Sequence, residues 1–153
     1  MYKDSMTLIL DDALRLPHAF CWFGAIPAAE LDAWTQRTQI QLPPDLLEFW
    51  RITGGGDLFE TETILRPSVE SAPNQCFVIG DDTESFNEAL KKEGMAPNLF
   101  VFQQGCFLSA IDLPTAKYVT LSSTYAPQSE FKSLEEWYLE TLRPEFAPRY
   151  GLD

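Results

Sequence analysis

A single histidine, His18, and three cysteines, Cys21, Cys76 and Cys106, are the residues best suited to nucleophilic or metal chemistry. A Cys–His pair works only when the imidazole reaches the thiol, and no recognised nucleophile motif surrounds Cys21. A zinc site would recruit its ligands from three separate places, because the His18-x-x-Cys21 pair has no second local pair. Cys76 precedes Phe77-Val78-Ile79 and Cys106 precedes Phe107-Leu108, so both read as small core hydrophobes. Gly54-Gly55-Gly56 follows a helical pattern and precedes a strand, the reverse of a phosphate loop, and lacks its Lys-Ser/Thr. Backbone geometry is its expected use: a left-handed helix cap and a sharp turn into the sheet. The expectation is a chain with no catalytic centre, metal or cofactor. A hydrolase built on Cys21 or on paired carboxylates is the rival from another class.

Carboxylates are the remaining chemistry. Glu60 and Glu62 have the spacing of one strand face, and Asp81-Asp82 read as a turn before Glu84. Acid–base catalysis needs environments that push two pKa values apart, and nothing in the sequence marks such a pocket. The distribution is more telling. From Gly54 to Glu88 the acidic residues are Asp57, Glu60, Glu62, Glu70, Asp81, Asp82, Glu84 and Glu88, against the single basic residue Arg66. That concentration suits a docking surface for a basic partner. The expected contacts are Asp57, Glu60, Glu62, Asp81, Asp82 and Glu84, on an exposed strand face or in turns. Phe59, flanked by acids, is the expected aromatic anchor, with core packing as its competing reading.

The elements that must position these residues follow from pattern. A length of 153 residues fits one domain, and 45% hydrophobic with 13% aromatic content is that of a folded globule. Leu31 and Trp34 recur at helical spacing across Ala28 to Gln39, after Pro27. Pro43-Pro44 breaks that helix, and a second runs from about Pro44 to Thr53, stopped by the glycines. Leu58 to Leu65, Cys76 to Ile79 and Tyr118 to Leu121 read as strands. Leu99 to Phe102 and Cys106 to Ile111 read as a hairpin around Gln103-Gln104-Gly105. Ser85 to Glu93 suits a short acidic helix. Ser133-Leu134-Glu135-Glu136 has capping-box spacing, and Leu134, Trp137, Tyr138 and Leu142 follow as a helical stripe up to Pro144. Helices, mostly antiparallel strands and a closing helix argue for an α+β fold.

The net charge of −12 repels nucleic acid and anionic lipid and favours a cationic partner, although acidity for solubility alone is the plainer reading. Three widely spaced cysteines make no disulfide framework, and no segment reads as a leader or a membrane span. The expectation is a reduced, cytoplasmic protein.

The run Leu42-Pro43-Pro44-Asp45-Leu46-Leu47-Glu48-Phe49-Trp50, then Thr53-Gly54-Gly55-Gly56 and a strand, resembles the SUKH superfamily, the Smi–Knr family. Phe100-Val101-Phe102, the turn at Gly105, Ile111-Asp112 and the Phe131-to-Leu142 segment with Trp137 agree in order, so the resemblance spans about residues 20 to 142. It implies helices at both ends packed on a twisted, mainly antiparallel sheet. It also implies a non-catalytic binding protein, since bacterial members are commonly immunity proteins against toxins, many of them nucleases. Fungal relatives are regulatory scaffolds, which leaves a housekeeping interaction role as the alternative.

Overall fold

A computed structural model of the chain describes residues 4–68 and 81–152. Among them, seven strands form one antiparallel sheet in sequential order. They are β1 (Cys21–Trp22), β2 (Gly56–Leu58), β3 (Glu62–Ile64), β4 (Leu99–Gln104), β5 (Leu108–Asp112), β6 (Lys117–Leu121) and β7 (Pro127–Phe131). Helices α1 (Asp4–Arg15), α2 (Ala28–Thr38) and α3 (Pro44–Thr53) lie early in the chain. Helix α4 (Thr83–Lys92) separates β3 from β4, and α5 (Leu134–Glu140), α6 (Leu142–Phe146) and a 3-10 turn (Ala147–Tyr150) follow the sheet. The fold is α+β.

Alternation along the central strands assigns the two faces of the sheet. Phe100, Phe102, Ile111 and Tyr118 join the main core with α1, α2, α3, α5 and α6. Leu99, Val101, Ala110 and Val119 point the other way and pack with Leu90 of α4 and with Met95. The α2–α3 elbow forms as the prolines require. Pro44 opens α3, and Gly54 ends it in the left-handed conformation (φ 76°), its N–H donating to the Trp50 carbonyl. A Cβ on Gly54 would collide with the Gly24 carbonyl, so close backbone approach as well as φ demands glycine there. The Trp50 indole then donates to the Leu65 carbonyl at 2.9 Å and fastens α3 to the sheet.

Several elements differ from the sequence reading. The stretch Leu58 to Leu65 is a hairpin, not one strand: Leu58 pairs with Glu62 across a turn in which Phe59 and Glu60 both take positive φ (50° and 69°). The turn holds because the Phe59 ring is buried against Phe20, Tyr138, Phe146 and Tyr150, while the Glu60 N–H donates to the Ala19 carbonyl. Helix α4 starts at Thr83 because Asp82 caps it, accepting from the Ser85 N–H at 2.8 Å. The β4–β5 turn falls at residues 105–107, two residues later than expected. Pro144 does not end the last helical segment. It sits in the first turn of α6, where a missing N–H costs nothing. The sequence pattern does not predict helix α1 or strands β1 and β7. The expected strand Cys76 to Ile79 lies outside the described residues. Cys21 is disulfide-bonded, contrary to the expectation of reduced thiols, and Cys106 is free.

Candidate partner-binding surface

The structure turns most of the acidic segment inward. Glu62 is fully buried, and Asp81, Asp82 and Phe59 are each less than 5% exposed. The expectation that they present an exposed face is corrected, because each completes a turn, a cap or the core. Asp57 is half-buried and accepts from the Thr63 hydroxyl at 2.8 Å. Burial pushes its carboxyl upward, against that hydrogen bond and with the Asp81 charge adding. Glu84 is held by Arg37 at 2.9 and 2.8 Å, and this pairing pulls its carboxyl below the usual range. Glu60 alone of the seven is exposed, and it accepts from the Tyr150 hydroxyl. Glu70 lies outside the described residues. His18 stands exposed in the turn after α1.

Glu62 shows why strand parity misled. Its carboxylate accepts from the Gln103 amide and from the Cys106 N–H, each at 3.1 Å, and from the Thr61 hydroxyl at 3.1 Å. A Cβ at residue 105 would overlap this carboxylate, so Gly105 is the residue that lets it sit in the β4–β5 turn. The same carboxylate raises the neighbouring Cys106 thiol, which keeps it protonated rather than nucleophilic.

Two further acids, Asp12 buried and Asp45 partly buried, escaped the sequence reading. Asp12 of α1 accepts from the Tyr138 hydroxyl at 2.7 Å and from the Arg143 guanidinium at 2.8 Å. Asp45 joins three elements, accepting from the Leu46 N–H of α3, the Tyr118 hydroxyl of β6 and the Leu134 N–H that opens α5. Asp12 is readable only as an acid inside an otherwise apolar helix stripe, and Asp45 as an acid in a first helical turn. Neither signal names a distant partner.

What remains open to a partner lies elsewhere. A groove of about 270 Å³ runs between α2 and α3, with Leu31 at its base and Ala28, Pro44 and Leu47 along it. Asp32 and Glu48 stand on its two walls. Glu48 is tied bidentately to Arg51, whereas Asp32 in the groove, and Glu30 on the opposite face of α2, are exposed with no ionic partner among the described residues. The missed signal was available: neither residue has a lysine or arginine three or four positions away on the helix. A wider recess of about 470 Å³ opens between the β4–β5 and β6–β7 turns, lined by Cys106, Phe107, Leu108, Ser122 and Tyr125 among others. Among the described residues, no helix is long and apolar enough to cross a membrane.

No curated protein matches the chain. Residues 25–140 match the SMI1 / KNR4 family (SUKH-1). That span takes in the proline elbow, the glycine turn, the whole sheet from β2 to β7 and α5. The chain belongs to the SMI1 / KNR4 family (SUKH-1).

Proposed function

We propose that this chain is a non-catalytic binding protein of the immunity type, which neutralises a basic toxin domain. Family membership carries the reading, because the family includes immunity proteins. The charge of −12 supplies the sign of the partner: a nuclease cleft must hold phosphate and is therefore basic, and an acidic protein reaches it fastest. Steering of this kind acts over a screening length of about 8–10 Å at physiological salt, so association should slow steeply as salt rises.

The acidic segment is not the surface on which this reading rests, since its carboxylates are largely consumed inside the fold. Direct contact falls instead to exposed acids such as Glu30, Asp32 and Glu60. The test is to express the coding sequence immediately upstream, with and without this chain. Toxicity relieved by this chain, and a complex whose association rate falls with salt, are the expected results. A toxin that this chain neither binds nor relieves refutes the reading.

A further inference from the structure

We infer that the groove between α2 and α3 is a docking site for a basic amphipathic helix of the partner. This rests on the proposed basic partner and names the surface it uses. At about 270 Å³ the groove is smaller than the ~300–1,000 Å³ of a typical small-molecule pocket. It suits one or two apolar side chains presented from a helix, which is how amphipathic helices seat in grooves. Leu31 and Leu47, with Ala28 and Pro44, supply its apolar lining.

Charge selects the occupant. Arg51, the one cation lining the groove, is already satisfied by Glu48, and Arg37 of the same helix pair is satisfied by Glu84. Asp32, on the α2 wall, has no such compensation. A lysine or arginine one helical turn from the partner's apolar anchor would meet Asp32 at the rim, where pairing requires little desolvation. An acidic helix would meet the same carboxylate and be repelled.

The test uses a synthetic helix of about four turns with leucine on one face and lysine on the other, and a leucine–glutamate counterpart. Each is titrated into isotopically labelled protein, and amide shifts report where it binds. The expected result is saturable binding of the lysine peptide, with shifts concentrated in α2 and α3 and no binding of the glutamate peptide. Affinity should fall by about ten-fold or more in the Asp32→Lys variant, and likewise in Ala28→Trp, which fills the groove. Both changes are at exposed positions, and unaltered melting confirms that the fold is intact. Binding of the lysine peptide elsewhere, unaffected by either variant, overturns the groove and leaves the basic-partner reading standing. Equal binding of the glutamate peptide in the groove overturns the charge argument and, with it, the sign of the partner. No binding of either peptide overturns the groove as a helix site.

Discussion

Replacing Glu62 with lysine should unfold or nearly unfold this protein, and the structure says by how much. The carboxylate has no exposed surface and accepts hydrogen bonds from the Gln103 amide, the Cys106 N–H and the Thr61 hydroxyl. Each bond to a charged group is worth about 1.5–3 kcal/mol, against about 0.5–1.5 for a neutral one. Glu62→Gln keeps the shape but loses the charge at two N–H donors, which comes to about 2–3 kcal/mol by that difference. Glu62→Lys does worse, aiming an ammonium at those same N–H groups. Removing one side of a buried charged arrangement in this way costs about 3–5 kcal/mol, a large share of the ~5–15 kcal/mol that a domain possesses. Gly105→Ala attacks the same corner from the other side, through overlap with the carboxylate. In the Glu62→Ala background that overlap is gone, so the second change should cost clearly less than in the parent. Urea denaturation followed by circular dichroism measures the parent and all five variants. A Glu62→Lys midpoint equal to the parent's would refute the reasoning, since it would mean the side chain swings freely to solvent.

Three further perturbations probe the interior. Tyr118 and Tyr138 are raised from the ordinary 10.0, first by burial and then by the Asp45 and Asp12 carboxylates. Their folded pKa lies above the unfolded one, so this stability is fully present below about pH 10 and is lost as pH rises beyond it. Tyrosinate absorbance should therefore grow together with unfolding, and a smooth titration of both with the fold intact counts against their burial. Phe59→Ala removes a ring stacked on Phe146 and Tyr138 and should cost about 3–5 kcal/mol in urea denaturation. A loss below about 1 kcal/mol would return Phe59 to the surface. Arg143→Met strands the buried Asp12 carboxylate and should destabilise by a similar ~3–5 kcal/mol, seen as a lower melting temperature, whereas an unchanged melt would show that Asp12 needs no cation.

The fold was legible wherever a local rule forced the chain. Pro43-Pro44 and Gly54 bound α3 at both ends, and Ser133 caps α5 by accepting from the Glu136 N–H, as its spacing demands. Glu136 answers one residue earlier than a capping box would have it, at the Lys132 N–H. The candidate site was much less legible. Leu58 to Leu65 has strand composition throughout, and nothing local reveals that Phe59 and Glu60 adopt left-handed backbone. Tertiary packing of the Phe59 ring enforces that turn, and a turn in place of strand shifts Glu62 from a shared face with Glu60 into the interior. Asp81-Asp82 were read as exposed because turns usually are, yet the second is a helix cap beside Arg66. Strand β7 carries few apolar residues, since its side chains are mostly exposed, and so it left no periodic signal.

Charge counted along a chain and charge offered at a surface are different quantities, and this protein separates them. Glu62 and Asp82 are balanced by N–H groups rather than by cations, so they still add to the −12 whose field a partner feels at a distance. Contact, by contrast, requires carboxylates that a partner can touch, and those are in α2 and elsewhere on the surface. Each acid-to-lysine change shifts the net charge equally, wherever it is made. Asp32→Lys and Asp11→Lys, both at exposed helical positions, should therefore slow association with a basic partner to similar degrees. Only a residue in the contact should also speed dissociation, because dissociation reports the interactions broken. Comparing the two variants' association and dissociation rates against one basic toxin domain distinguishes steering from contact. Equal dissociation rates for Asp32→Lys and Asp11→Lys would place the contact outside the α2–α3 groove.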